Sequence, residues 1–306
     1  MHKLLETIFT TEFAFSAIRV TTPILFAALG ALISDRAGAV NIGIEGIMLM
    51  SALAGVVSSA YTKSAFLGLL GAVLVGLITA SILAYFTLKL KTDVILGGIA
   101  TNFFADGVTI FLLYYLTGDK GTSSSLASKV LPNLNIPIIN KIPVLGEIIS
   151  GHNILTYVGI LSTIGVWFLL NKTSLGLRIR SVGENENAAK SVGINVIKIR
   201  YLAIALSGVF AGLGGAFLSM GYVSWFSRGM SAGRGWIALA AEAMGKGTVL
   251  GTTLSSLLFG VADALSNTLQ LLNIPSELIK IMPYLTTVVG LLIYAIADTK
   301  KRKMKE

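Results

Sequence analysis

The sequence predicts an all-α polytopic membrane protein with about nine transmembrane helices, within a range of about eight to ten. Hydrophobic residues make up 54% of the chain and charged residues only 13%, whereas a water-soluble protein carries about 25% charge. The apolar residues form runs of roughly 17 to 25 residues, long enough to cross the hydrocarbon core of a bilayer as helices. The 33 glycines agree with this class, because small residues let transmembrane helices approach closely.

Eight apolar runs have the length of a full span, and a ninth is shorter. The full-length runs are residues 14–33, 43–60, 65–88, 94–116, 153–170, 201–220, 249–270 and 283–298. The short run is "GWIALAAEAMG" at 235–245. We expect it to be a tilted or broken helix, a form that membrane proteins use where the backbone lines a cavity.

The positions of the lysines and arginines predict which loops face the cytoplasm. They are concentrated in the loop 171–200 and in the tail 299–306, and basic loops of membrane proteins face the cytoplasm. Threading the chain outward from that loop places the N-terminus and the long segment 117–152 outside. The loop and the tail share a side only if an even number of spans separates them, so the run 235–245 has to count as a crossing. We therefore predict a single transmembrane domain over residues 1–306.

The composition excludes several classes of site. The chain has no cysteine, and its two histidines, His2 and His152, lie outside the predicted spans. It therefore has few residues that could form a metal site, a thiolate nucleophile or a histidine-based catalytic site. The stretch "GKGT" at 245–248 lacks the rest of a phosphate-binding loop. The net charge of +9 is explained by basic loops beside a lipid bilayer rather than by a surface for nucleic acid. We expect no enzyme activity, no cofactor and no nucleic-acid partner.

Polar residues inside the predicted spans are candidates for lining a solute pathway. Three pairs stand four residues apart, so both members of each pair lie on one face of a helix. The pairs are Asn41 with Glu45, Asn102 with Asp106, and Asp263 with Asn267, while Glu242 stands alone in the short run. We predict that the pathway uses Asn41, Glu45, Asn102, Asp106 and Glu242. Interhelical hydrogen bonds that lock the bundle are the alternative for any one pair, and a proton relay is a third, weaker because asparagine does not titrate.

Four aromatic residues lie near one predicted membrane boundary. They are Tyr222, Trp225, Phe226 and Trp236. The grouping is typical of an aromatic belt at the external membrane surface. Stacking of some of these rings on a ring-shaped solute is the alternative.

The stretch "SVGENENAAKSVGIN" at 181–195 is polar although it lies between two apolar spans. We predict a short cytoplasmic helix between Gly183 and Gly193, because good helix formers lie between these two glycines. Glu184 and Glu186 stand at its N-terminal end, where acidic residues suit the helix dipole.

This predicted helix has a face of small residues. Ala188, Ala189 and Val192 fall on one side, and Glu186 and Lys190 have the spacing of a helical ion pair. Such a helix suits docking in a groove of another protein, and a helix that lies on lipid headgroups is the alternative. We favour the protein partner, since the apolar face is narrow and made mostly of alanine.

Several motifs resemble those of a known family. They are "ISDRAGAVNIGIEGIMLMSALAG" at 33–55, "GLRIRSVGENENAAKSVGINV" at 176–196, "LSGVFAGLGGAF" at 206–217, "GRGWIALAAEAMGKG" at 233–247, "LFGVADALSNTLQ" at 258–270 and "IPSELIKIMPYLTTVVGLLIYA" at 274–295. They are similar to the permease subunits of ABC importers for branched-chain amino acids, simple sugars and nucleosides, and most similar to the nucleoside type. The resemblance implies a type II ABC importer fold, here without the first span of the family.

The resemblance also implies a role and partners. The positions that match the coupling helix, which sits in a cleft of the ATPase subunit, are Gly183, Glu184, Asn185, Ala188, Ala189 and Gly193. The implied partners are an ABC ATPase, expected as a fused double ATPase, a second permease, expected to form a heterodimer, and an extracellular substrate-binding lipoprotein. The implied function is ATP-driven import of nucleosides, purine nucleosides above all, through the bacterial cell membrane. Simple sugars and branched-chain amino acids are the alternative substrates, and an ion-coupled secondary transporter is the alternative mechanism.

Two further features bear on the resemblance. Glu242 stands where relatives usually carry an apolar residue. The segments around 22–55 and 206–245 also resemble an inverted pair, an arrangement that places a solute site between two related halves of a transporter.

Overall fold

The structure is a bundle of helices, and this computed structural model describes residues 10–137 and 142–269. The helices are α1 (Thr11–Asp35), α2 (Ile44–Thr62), α3 (Ala65–Ala84), α4 (Val94–Thr117), α5 (Leu145–Ile149), α6 (Ile154–Lys172), α7 (Ser174–Glu184), α8 (Glu186–Ser191), α9 (Val196–Phe217), α10 (Arg234–Met244) and α11 (Val249–Leu269). A π-helical turn extends α3 over Tyr85–Lys89 and α9 over Leu218–Tyr222. Within the described residues, the β-structure is limited to isolated bridges.

Seven helices in the described part are long and apolar enough to cross a membrane. They are α1, α2, α3 with its π turn, α4, α6, α9 with its π turn, and α11. Each coincides with a predicted run, so seven predicted spans are confirmed as apolar helices. The predicted run 283–298 and the tail 299–306 lie outside the described residues, and the count of about nine stays a prediction.

The short apolar run forms α10, which has 11 residues. At 1.5 Å per residue it reaches about 16 Å, roughly half the thickness of the hydrocarbon core. The expectation of a helix too short to span the membrane is confirmed. Its N-terminal end lies inside the bundle, as the contacts below show.

Helix α1 lies at the centre of the bundle. Of its most apolar stretch 83% is buried, against 17% for α4, and α6, α9, α10 and α11 all pack against it. A Cβ atom on Gly30 would lie 2.9 Å from the carbonyl oxygen of Ser207, so glycine allows α1 and α9 to approach this closely. On another face of α9, a Cβ atom on Gly208 would lie 2.5 Å from the carbonyl oxygen of Gly76. Small residues therefore act as helix contacts, as the glycine content predicts.

Two helices begin inside the bundle rather than at its surface. Asn41, which precedes α2, hydrogen-bonds Ser207, and Ser207 lies about 16 Å along α9 from its start. Gly233, which precedes α10, donates a hydrogen bond to Glu45 in the first turn of α2. The connections before α2 and before α10 therefore run into the bundle, where the N-terminal ends of the two helices meet. The two segments expected to be an inverted pair share this form.

The two ends of the bundle carry different segments of the chain. One end carries residues 174–193, which contain α7 and α8; we call them the coupling segment, and this end the coupling end, after the coupling helix that the resemblance implies there. This segment lies on the turn after α1, because a Cβ atom on Gly183 would clash with the carbonyl oxygen of Arg36. The loop end carries residues 118–137 and 142–153, which are held to α2 where Ser59 Oγ accepts from the backbone nitrogen of Lys129 at 2.8 Å.

A buried histidine lies at the loop end. The ring of His152 stacks on Phe15 with centroids 3.9 Å apart, and its Nε2 donates to the carbonyl oxygen of Ile148 at 2.9 Å. Its Nδ1 is buried without a hydrogen-bond partner in the described part of the chain. Burial lowers the pKa of His152 below its usual 6.5, the hydrogen bond to Ile148 acts in the opposite sense, and the charge of Arg19 lowers the pKa as well. His152 is therefore held in its neutral form.

Candidate functional site

A cavity of about 350 Å³ lies where α2, α4 and the start of α10 meet. We call it the polar cavity. Three of the five predicted pathway residues line it, and two aromatic residues and a serine lie beside them. These lining residues are Glu45, Asn102, Phe103, Asp106, Ser231 and Trp236.

Glu45 joins the start of α2 to the start of α10. Its Oε1 accepts from the backbone nitrogen of Gly233 at 2.8 Å, and its Oε2 accepts from that of Gly235 at 2.7 Å. These donors are free N–H groups at the N-terminal end of α10, where the helix dipole favours a carboxylate. A Cβ atom on Gly235 would lie 2.6 Å from the backbone of Glu45, so glycine is required for this approach. Each carboxylate oxygen keeps one further lone pair that can accept a hydrogen bond from a solute.

Asn102 connects α4 to the start of α2. Its Oδ1 accepts from the backbone nitrogen of Gly46 at 2.8 Å, and its Nδ2 donates to the carbonyl oxygen of Ile42 at 3.1 Å. These bonds satisfy backbone groups at the broken start of α2. Asn102 therefore shapes the wall of the polar cavity and has one N–H left to offer.

Asp106 differs from the other polar residues of the cavity because its carboxylate is exposed. Neither a hydrogen bond nor an ion pair to that carboxylate forms among residues 10–137 and 142–269. Asp106 lies near the middle of α4, about 18 Å from its start. A carboxylate at such a depth costs about 2.5–3.5 kcal/mol in lipid. This face of α4 is therefore suited to water, a polar solute or a partner subunit rather than to lipid.

Two aromatic side chains border the polar groups. Phe103 is 75% exposed and Trp236 is 44% exposed, so both rings present free faces at the cavity. The prediction of one external aromatic belt is wrong for Phe226, which is fully buried, and Trp236 lies in the first turn of α10 beside Glu45. The guanidinium group of Arg19 lies over the ring of Tyr222, 4.6 Å from the ring centroid, in a cation–π contact.

The other two predicted pathway residues lie outside the polar cavity. Asn41 is fully buried, and it accepts from the backbone nitrogen of Gly43 and donates to Ser207 Oγ, both at 3.0 Å. Its Oδ1 and Nδ2 are each hydrogen-bonded within the bundle. These bonds agree with the alternative that such residues lock the bundle. Glu242 is buried near the C-terminal end of α10, where its carboxyl group hydrogen-bonds that of Asp35.

An ion pair inside the bundle was missed at the level of sequence. Arg234 Nη2 lies 2.9 Å from Asp263 Oδ2, and both side chains are mostly buried. Asp263 was considered with Asn267 on its own helix, whereas its partner is on α10. The sequence signal for this ion pair is the position of Arg234, directly before an apolar run that is too short to span the membrane. A cation in such a position needs an anionic partner.

The short helix predicted between Gly183 and Gly193 is α8, and a second short helix, α7, precedes it and extends through Gly183 to Glu184. Asn185 has extended backbone with φ −153°, and its Oδ1 accepts from the nitrogen of Ala188 at 3.0 Å. This N-cap starts α8 at Glu186. Glu184 therefore ends α7 instead of starting a helix. Gly193, with φ +81°, adopts the left-handed conformation expected of a glycine after a helix.

The two alanines of α8 face opposite surroundings. Ala188 is exposed, whereas Ala189 is only 2% exposed and packs with apolar residues of its own bundle. The expectation that both lie on one docking face is therefore wrong, because α8 uses one side to pack on its own bundle. The predicted ion pair between Glu186 and Lys190 is confirmed, and Arg200 Nη1 also lies 2.9 Å from Glu186.

A chain of contacts connects the coupling segment to the polar cavity. Arg200, which pairs with Glu186, donates from Nε to the carbonyl oxygen of Ala37 at 3.2 Å. Asp35, two residues earlier, contacts Glu242 on α10. The other end of α10 is held by Glu45. Helix α10 thus touches the cavity at one end and the turn beneath the coupling segment at the other.

Comparison with known proteins shows relatives along most of the chain. A family model described as branched-chain amino acid transport system / permease component matches residues 13–297. The nucleoside ABC transporter permease protein NupC of Lactococcus lactis subsp. cremoris is 36% identical over 287 residues, which cover 90% of this chain and 89% of that protein. The guanosine ABC transporter permease protein NupQ of Bacillus subtilis is 35% identical, with 88% and 87% covered. A candidate glucose ABC transporter permease protein of Haloferax volcanii, TsgC13, is 32% identical, with 94% and 93% covered.

A solved structure has a similar fold. It is an inward-facing conformation of a candidate metal-chelate type ABC transporter, with a TM-score of 0.51 and 20% sequence identity. The match covers 92% of this chain and 85% of that chain. At this identity the likeness shows the fold alone, which is that of an ABC transporter membrane subunit.

Proposed function

Because the chain belongs to the branched-chain amino acid transport system / permease component family and is an ABC transporter permease, we propose that it imports nucleosides, purine nucleosides above all. Relatives named for nucleosides and for guanosine are 36% and 35% identical. In this proposal ATP is hydrolysed by a separate ATPase, a second permease completes the pathway, and an external binding protein delivers the solute.

The observation that carries this proposal is the polar cavity with Asp106 on its wall. A nucleoside offers ribose hydroxyls that donate hydrogen bonds and a planar base that stacks on aromatic rings. The cavity offers the carboxylates of Asp106 and Glu45 as acceptors and the rings of Trp236 and Phe103 as stacking faces. Its volume of about 350 Å³ lies within the range of small-molecule sites, roughly 300–1,000 Å³.

The open side of the polar cavity supports the proposal of a second permease. Asp106 and Phe103 are both exposed, and a mid-depth carboxylate on a lipid-facing surface is disfavoured. A second permease placed against α4 would close the cavity into a pathway between two subunits. If this second permease is a different protein that packs through its equivalent face, the two subunits form a heterodimer.

The coupling segment supports the proposal that an ATPase docks at this end of the bundle. All six positions matched to the coupling helix except Ala189 are exposed, and the side chains of Glu184 and Ala188 are the contact candidates. Asn185 and Gly193 define the bounds of α8, while Gly183 and Ala189 pack on the permease itself. Because α10 touches both this region and the polar cavity, we infer that ATP-driven movement of the coupling segment reaches the cavity through α10 as a two-state shift.

The substrate is tested by transport with the whole transporter. The chain is produced with its ATPase, second permease and binding protein and reconstituted in liposomes with ATP on the ATPase side. The expected result is ATP-dependent uptake of labelled guanosine that unlabelled adenosine inhibits and that glucose and leucine do not. ATP-dependent uptake of glucose without uptake of guanosine would overturn the nucleoside assignment and favour the sugar alternative, which the 32% identity to a candidate glucose permease supports.

A further inference from the structure

A second cavity, of about 240 Å³, lies at the coupling end, away from the polar cavity. It is formed by the end of α1, the last turn of α6, α7 and the start of α11. We call it the arginine cavity. The residues that line it and matter here are Arg36, Trp167, Arg180, Gly247, Thr248 and Leu250.

The two guanidinium groups of this cavity are poorly neutralised. Neither Arg36 nor Arg180 forms an ion pair or a side-chain hydrogen bond within the described part of the chain. The Nε of Arg180 is buried and has no partner there. Arg36 is near the carboxyl group of Glu242. Guanidinium groups left this way are well suited to an anion with several oxygen atoms, which they bind bidentately.

The backbone adds donors at the same place. Helix α11 starts at Val249, and the Gly251 nitrogen donates to Thr248 Oγ1 at 3.2 Å, so Val249 and Leu250 supply the first-turn N–H groups that remain for a ligand and carry partial positive charge. Thr248 donates from Oγ1 to the carbonyl oxygen of Gly245 at 2.7 Å, which orders the turn before the helix. Gly247 has φ +63°, and a Cβ atom there would lie 3.2 Å from Arg36, so glycine keeps Arg36 beside the helix start.

The apolar rim of the cavity indicates the source of the anion. Leu250 is 71% exposed and Trp167 is 47% exposed, and both belong to helices long and apolar enough to span a membrane. The ring of Trp167 also lies 5.8 Å from Nζ of Lys172, a combination of aromatic and cation typical of the headgroup level. The cavity thus has cationic donors within and an apolar rim for acyl chains.

We propose that the arginine cavity binds the phosphate group of an anionic phospholipid from the leaflet at the coupling end. The guanidinium groups of Arg36 and Arg180 and the first N–H groups of α11 hold the phosphate oxygens, and Trp167 and Leu250 contact the acyl chains. Basic pockets between transmembrane helices bind anionic lipid headgroups by the same forces. The bound lipid would connect α1, α7 and α11 beneath the coupling segment. This site is separate from the solute pathway and does not depend on which solute is carried.

The test measures lipid retained by the assembled transporter. The transporter is extracted from membranes that contain phosphatidylglycerol, and native mass spectrometry counts the phospholipid that stays bound. We expect Arg180→Gln to reduce bound phosphatidylglycerol several-fold, with a smaller reduction for Arg180→Lys, which keeps the charge but loses the bidentate geometry. The matched control is Arg178→Gln, an exposed arginine on the same helix that does not line the cavity. Equal retention by the Arg180→Gln and Arg178→Gln proteins would overturn the proposal.

A second measurement on the unmodified transporter separates a lipid from a free anion. Thermal unfolding is followed in detergent with added short-chain phosphatidylglycerol, short-chain phosphatidylcholine or inorganic phosphate. We expect stabilisation by the phosphatidylglycerol alone. Equal stabilisation by inorganic phosphate would overturn the lipid source in favour of a free anion, and the absence of stabilisation by either anion would overturn the site. This arm needs no variant, so it decides the question even if Arg180→Gln fails to fold.

Discussion

Oε2 of Glu45 lies 2.7 Å from the backbone nitrogen of Gly235, across the junction where α2 and α10 both begin. One carboxylate from the first turn of α2 therefore holds the first turn of α10. This relationship fixes the short helix at the polar cavity, while the contact between Glu242 and Asp35 fixes its other end. Helix α10 is thereby held at both of its ends by carboxyl groups of other elements.

The junction predicts a measurable loss of stability in Glu45→Gln. The amide has one acceptor oxygen instead of two, and its NH2 group faces a backbone N–H, so one donor of α10 is left unsatisfied. An unsatisfied buried donor costs about 1–3 kcal/mol, and we expect a lower unfolding temperature in detergent together with reduced uptake. Glu12→Gln, an exposed carboxylate in the first turn of α1, is the control that should change little. An unchanged unfolding temperature in Glu45→Gln would contradict the role given to Glu45.

The aromatic border of the polar cavity predicts a change in apparent affinity. Stacking of a base on an aromatic ring contributes about 1–3 kcal/mol, so Trp236→Ala should raise the half-saturation concentration for guanosine transport about tenfold, the equivalent of about 1.4 kcal/mol. Trp236→Phe keeps a ring and should retain most of the affinity. Trp225→Ala removes an exposed tryptophan outside the cavity and serves as the control. If the Trp225 and Trp236 variants behave alike, stacking in the cavity is wrong.

His152 predicts a pH dependence of stability at the loop end. Its pKa in the folded protein lies below the usual 6.5, so its contribution is complete above about pH 6.5 and is lost as the pH falls through that lowered pKa. His152→Gln can keep a donor towards Ile148 and does not titrate. We expect the difference in unfolding temperature between the unmodified protein and this variant to shrink from about pH 7.5 to about pH 5. A difference independent of pH would show that His152 is not held neutral.

The opposite surroundings of two neighbouring alanines predict different outcomes for the same substitution. Ala188 is exposed, so Ala188→Trp should leave the unfolding temperature of the permease unchanged while it lowers ATPase co-purification at least several-fold. Ala189 is buried, so Ala189→Trp overpacks the contact of α8 with the bundle and should cost about 1–3 kcal/mol of stability. Ser125→Trp, at an exposed position of the loop end, is the control for both. Normal ATPase binding by Ala188→Trp would contradict docking at α8.

The spans were predictable because they depend on a simple property. Lipid offers no hydrogen bonds to the backbone, so each long apolar run has to be a helix, and seven predicted runs in the described part are helices of span length. The short length of α10 was predictable for the same reason. The common face of Asn102 and Asp106 was predictable, since i,i+4 spacing places both on one side of α4, whereas Asn41 precedes α2 and shares no helix face with Glu45.

The remaining features depend on contacts between distant residues. Spacing along one helix could not show that Arg234 pairs with Asp263, or that Asn41 is occupied by Ser207. The start of α8 depends on the side chain of Asn185, which supplies the N-cap, so the position of Gly183 alone does not predict it. Ala189 was placed on the docking face because nothing in the sequence shows which side of a short helix packs on its own bundle.

Passage of a nucleoside through the polar cavity beside Asp106 is tested by ATP-driven guanosine uptake with the Asp106→Asn transporter. The carboxylate makes no bond within the described residues and is costly at this depth, so the variant should assemble normally and be at least as stable as the unmodified protein. Tyr115→Phe, a conservative change at an exposed residue of the same helix, is the control. We expect Asp106→Asn to lower guanosine uptake about tenfold or more and Tyr115→Phe to leave it unchanged. Equal uptake by the Asp106→Asn and Tyr115→Phe transporters would show that the nucleoside does not pass beside Asp106.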